Sequence, residues 1–91
     1  MILQSLALEL QSYTSLRINT NKLPKCLLIK RIGNNKTYVE IMSIDDLLVY
    51  CVFARQGNGN YYRIVGSGGK ISLIDPTAIE QLLSVIKNKL K

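Results

Sequence analysis

The run LLVYCVFAR at 47–55 constrains this chain more than any other segment. It is apolar on both alternations of an extended strand, and its β-branched and aromatic residues favour strand over helix. A turn at Ser43 to Asp46 precedes it and QGNGN at 56–60 follows it, so turn-forming residues close both ends. A strand without a polar side is expected to be central and covered on both faces.

The flanking segments fall into the same rhythm. Residues 26–32 (CLLIKRI) and 37–43 (TYVEIMS) enclose Gly33-Asn34-Asn35-Lys36, whose Gly and Asn tolerate positive φ. This predicts a β-hairpin. In the second of these strands Thr37, Val39 and Ile41 point one way, and Tyr38, Glu40 and Met42 the other. After QGNGN, residues 61–65 form the returning strand. Gly66-Ser67-Gly68-Gly69 then reads as a third turn, a hairpin reversal needing positive φ, with a short last strand at 70–74. The segment 14–25 is rich in Ser, Thr and Asn and is expected to be a loop. Within it Leu16 and Ile18 touch the core or pair as an edge strand.

The two ends are helical. Ile2, Leu3, Leu6, Leu10 and Tyr13 recur at three- and four-residue steps, and Leu8 widens the apolar side. At the other end Asp75 suits an N-cap and Pro76 the first helical position. Ile79, Leu82, Leu83, Ile86 and Leu90 make the buried stripe of this helix, and Lys87, Lys89 and Lys91 gather at its C-terminal end, where the macrodipole favours cations. The predicted fold is α+β: a four- to five-stranded antiparallel meander sheet with an N-terminal helix and a C-terminal amphipathic helix. It is read as one domain over 1–91, with helix 1–13, loop 14–25, antiparallel strands 26–74 and helix 75–90. Ninety-one residues support one core with modest reserve. The doubly apolar strand needs a second cover, which the N-terminal helix or a second copy of the chain could supply, and a homo-oligomer is expected.

Residue types exclude much chemistry. The chain has no histidine, which removes His-based triads and His-ligated zinc. Cys26 and Cys51 are far apart, without a CxxC pair, and read as reduced thiols inside apolar strands. Asp45-Asp46 is the only close carboxylate pair and sits in a turn. GSGGK at 66–70 lacks the spacing of a phosphate loop and has no helix after it. Ser67 and Lys70 match an SxxK spacing, but in a glycine turn rather than on a helix. No catalytic residue, cofactor or metal is predicted, and the chain is read as a non-enzyme. The N-terminus has no basic region ahead of its apolar residues and no stretch is long enough to span a bilayer, so a cytoplasmic protein without a membrane partner is expected.

Twelve Lys and Arg against six Asp and Glu leave a net charge of +6. Such a field attracts polyanions. Lys30, Arg31, Lys36, Arg55, Arg63 and Lys70, with the ring of Tyr61 or Tyr62, could share one surface, where cations follow phosphates and rings stack on bases. Tyrosines also favour strands for packing reasons alone. The ending, KISLI followed by Asp75-Pro76 and a basic amphipathic helix, resembles the C-terminal part of the family of single-stranded-DNA-binding transcriptional coactivators. The resemblance covers only 70–90, and the N-terminal helix and longer meander depart from that family; it implies single-stranded DNA as a ligand. The predicted function is thus a small basic protein binding single-stranded DNA or RNA through Lys30, Arg31, Lys36, Arg55, Tyr61, Arg63 and Lys70. The alternative is an assembly-accessory module that homodimerises or binds a protein partner through an apolar sheet or helix surface.

Overall fold

A computed structural model describes residues 2–34 and 36–90. Asn35 of the first turn and Lys91 of the C-terminal cluster lie outside the described residues, as does the side chain of Ile2. In chain order the elements are α1 (Ile2–Leu10), β1 (Leu16–Asn19), β2 (Leu27–Arg31), β3 (Thr37–Ile44), β4 (Leu47–Arg55), β5 (Tyr61–Arg63), β6 (Gly69–Ser72) and α2 (Ala78–Lys89). The sheet is antiparallel with order β1-β2-β3-β4-β5, and β6 also pairs with β4. The α+β fold predicted from the sequence, an antiparallel sheet with a helix at each end, is the fold observed; the sheet has six strands rather than four or five, β6 lies off the meander path, and Leu16 and Ile18 are on a true edge strand opposite β2.

Alternation along the strands separates two faces. Ile18, Ile29, Val39 and Val52 stand opposite one another across four strands, and Leu27, Ile41, Leu48 and Ile71 extend the same side. These side chains form one cluster with Leu3, Leu6, Ala7 and Leu10 of α1 and with Leu82 and Ile86 of α2. Both helices therefore cover the same face. Each has a single apolar stripe, and both stripes are used on that one layer. The second cover expected over 47–55 is not a helix: Val49 and Phe53, on the other side of β4, are half-buried. Leu8 does not widen the buried side of α1, being 66% exposed. It projects from the side of the helix opposite Leu3, Leu6, Ala7 and Leu10.

Two local expectations change. Gly66 does take a positive φ, of 78°. The chain does not reverse there, however, because β5 and β6 pair with β4 and not with each other. Phe53 faces Arg63 and Tyr50 faces Gly69, so residues 64–68 pass opposite Cys51 and Val52 alone. Ser67 makes this excess of chain tolerable. Its hydroxyl accepts the Val52 N–H at 3.1 Å and donates to the Ile64 carbonyl at 2.6 Å. It stands in for a missing strand partner and is the one buried polar residue among those described, at 6% exposure. Ser67→Ala leaves the Val52 N–H buried without an acceptor and is expected to cost about 1–3 kcal/mol. Urea denaturation of the two proteins measures it, and an unchanged midpoint would contradict the role given to the hydroxyl.

The second change concerns α2. Its N-cap is Thr77, which makes no side-chain capping bond. Asp75 lies outside the helix, because Pro76 and Thr77 still belong to the turn before it. From there one carboxylate oxygen accepts the Thr77 N–H at 2.8 Å and the Thr77 hydroxyl at 2.7 Å, and the other accepts from the Gln81 side chain at 3.0 Å. The Thr77 backbone bond, then the Thr77 hydroxyl and the Gln81 amide, hold the Asp75 carboxyl below its ordinary value. The depressed value belongs to the folded state. This contribution to stability is thus complete above the unfolded aspartate pKa of about 3.9 and is lost as pH falls below it. Thermal melts between about pH 5 and pH 3 should show a fall in midpoint that is shallower in Asp75→Asn. Equal falls in both proteins would remove the clamp from the account.

Candidate functional site

The face of the sheet opposite the helices carries the groups that can meet a ligand. Register alone assembles it. Arg17 stands opposite Lys30, Leu28 opposite Glu40, Glu40 opposite Cys51, and Tyr38 opposite Phe53. Phe53 faces Arg63, Arg55 faces Tyr61, and Val49 faces Lys70.

At the centre lies a group of rings. Tyr38 and Phe53 stack with centroids 5.0 Å apart and planes 6° from parallel, and Tyr61 meets Tyr38 edge-on at 4.9 Å. The Lys30 ammonium sits 5.4 Å from the Tyr61 ring centre and 6.0 Å from that of Tyr38, and it donates to the Tyr61 hydroxyl at 3.4 Å. A cation held over two rings keeps a fixed position while its charge stays accessible. These contacts pull the aromatic side chains into a layer that half-covers the face in place of a helix.

Around the rings stand Arg17, Lys30, Arg55, Arg63 and Lys70, with Glu40 as the one acid among the described residues of this face. Asp45 and Asp46 are in the β3–β4 turn, while Glu9, Asp75 and Glu80 belong to the helices or their approaches. Like charges directly opposed across a strand pair, as in Arg17 and Lys30, destabilise a sheet.

The face is concave at one end. A cavity of about 630 Å³ opens between β1, β2, the β2–β3 turn and β5, with Arg17, Lys30 and Arg31 among its walls together with Tyr38 and Tyr61. No carboxylate lines it among the described residues. On the far side of the sheet a second hollow of about 320 Å³ lies between β1 and the end of α2, lined by Leu16, Arg31, Ile86, Lys87 and Leu90. Arg31 borders both.

Of the residues singled out from the sequence, Lys30, Arg55, Tyr61, Arg63 and Lys70 share the open face. Arg31 alternates to the helix side, opposite Leu16, and reaches the cavity only at its rim. Lys36 is exposed in the β2–β3 turn, its N–H bonded to the Asn34 side chain, and is not part of the cavity wall. Tyr62 falls on the helix side, opposite Ala54. Arg17, Tyr38 and Phe53 are site residues that sequence reasoning missed. Tyr38 was legible as a neighbour of Glu40 and Met42 on one side of its strand. Arg17 becomes visible only once β1 is known to pair with β2.

The thiols are not reactive centres of this face. Cys26 and Cys51 are free and buried. Burial first, and the Glu40 carboxylate second, push both thiols up, away from thiolate. The same two causes raise the Tyr38 hydroxyl. Among the described residues no three His, Cys, Asp or Glu side chains converge on a metal-sized site, and no helix is long and apolar enough to cross a membrane. Compared with known proteins, the chain matches no family model, no curated protein and no solved structure. The likeness of 70–90 to the single-stranded-DNA-binding coactivators therefore gains no support from comparison.

Proposed function

We propose that this protein binds single-stranded nucleic acid on the open face of its sheet and carries out no chemistry of its own. The observation that carries the proposal is the ring cluster of Tyr38, Phe53 and Tyr61 on a helix-free face, framed by cations that face almost no acid. Rings offer stacking partners to any unpaired base, and cations track the phosphates between them. Duplex hides its base faces, so single strands use both halves of this surface and duplex only the charged half.

The charge pattern also favours a polyanion over a second copy on this face. Two copies placed face to face would set one face carrying Arg17, Lys30, Arg55 and Arg63 against another carrying the same cations, and like charges juxtaposed across an interface are costly. A phosphate backbone removes that cost.

Fluorescence anisotropy with a labelled single-stranded oligonucleotide, at rising salt, tests the proposal. Binding should be tightest at low salt, stronger than to a duplex of the same length, and log-linear in salt. Absence of binding at low salt would refute it and favour a protein partner.

A further inference from the structure

We infer that the cavity at the β1–β2 end of the open face is a subsite for one unpaired nucleotide, taking its phosphate on Arg17 and Lys30 and its base against Tyr38 and Tyr61. The inference rests on the proposed nucleic-acid reading and adds a discrete position to it.

Size comes first. At about 630 Å³ the cavity falls within the range of small-molecule sites and is far larger than a lone phosphate needs. The chemistry of its wall comes second. The Arg17 guanidinium and the Lys30 ammonium, directly opposed across β1 and β2, point to a strong anion, and a guanidinium fork matches phosphate oxygens. The Asn19 side-chain oxygen already accepts the Asn21 N–H at 2.9 Å, which leaves its NH2 as the donor that side chain can turn to the cavity. The wall is thus rich in donors and poor in acceptors, and its ligand must be acceptor-rich. The two tyrosine rings and Leu28 supply the flat, apolar remainder. An acceptor-rich anion joined to a flat ring is the description of a nucleotide. A base stacked against Tyr38 and Tyr61 in this cavity presents its face to the rings, which makes the subsite selective for a strand end or an unstacked position.

Titrating isotope-labelled protein with a nucleoside 5′-monophosphate, the matching nucleoside and inorganic phosphate, followed by NMR, tests the inference. The monophosphate should saturate at one per chain and shift amides of β1 and of the β2–β3 turn. The nucleoside and inorganic phosphate should each bind at least about tenfold more weakly, since each keeps only half of the contacts. Arg17→Ala, on an exposed edge position, should weaken the monophosphate by about tenfold or more, as expected for loss of a charged hydrogen bond. Inorganic phosphate matching the monophosphate, shifts outside the cavity, or an Arg17→Ala protein binding as before would each overturn the subsite. An oligonucleotide titrated in parallel separates the two proposals. Oligonucleotide binding without a monophosphate response overturns the subsite and leaves the face standing, whereas failure of both removes both.

Discussion

Arg63→Ala combined with Lys70→Ala is expected to weaken single-stranded nucleic-acid binding about 25-fold at about 0.1 M salt, and to flatten its salt dependence. Each phosphate neutralised on a single strand contributes about −0.7 to the slope of log K against log salt. Arg17, Lys30, Arg55, Arg63 and Lys70 all face the same way. With every one of them engaged the slope is about −3.5, and without two of them about −2. The two proteins should converge towards about 1 M salt, where the release of counterions no longer drives binding. Lys87→Ala with Lys89→Ala provides the control. It removes the same net charge from α2, which packs on the opposite face of the sheet. If the protein bound polyanions through its overall charge, both double variants would lose affinity alike. A loss confined to the sheet variant locates binding on the open face; equal losses, or none, would refute that location.

How much of this surface could be read from the chain depends on what each residue needed in order to be placed. The hairpin turns at 33–36, 45–46 and 56–60 were legible because Gly, Asn and Asp tolerate positive φ at little cost. Gly33, Asp45 and Gly59 take φ of 89°, 53° and 90°. Gly66 carries the same signal and means something else. Nine residues of β4 offer two partner sites, and the Ser67 hydroxyl bridges the stretch between them, so β5 and β6 lie in line along one strand. No local rule distinguishes that arrangement from a hairpin. Lys30 and Arg31 show a different limit. Adjacent in sequence, they look like one basic site, yet strand alternation sends them to opposite faces. Phe53 was hidden by its surroundings: in a run apolar on both sides, nothing marks which side lacks a helix. Only the register, which sets Phe53 between Tyr38 and Arg63, turns it from a core residue into part of a surface.

Tyr61→Ala should weaken single-strand binding by about 1–3 kcal/mol, some 5- to 150-fold, which is the contribution of one stacked base. The slope against salt should stay where it is, because no charge has been removed. Tyr61→Phe separates the ring from its hydroxyl. It keeps the edge-on contact with Tyr38 and gives up the 3.4 Å bond from Lys30. That bond is long, and Lys30 remains over the Tyr38 ring, so the Phe variant should bind within about twofold of the parent. Circular dichroism and melting midpoints establish that both variants keep the fold. The two kinds of substitution then act on independent quantities: cations on the slope, rings on the affinity at any fixed salt. Combined in one protein, Tyr61→Ala and Lys70→Ala should add, because Tyr61 stands opposite Arg55 and Lys70 opposite Val49, well apart along β4. If Tyr61→Ala leaves the affinity intact while the cation variant lowers it, the rings serve only to cover the sheet, and the surface recognises charge without regard to whether bases are paired.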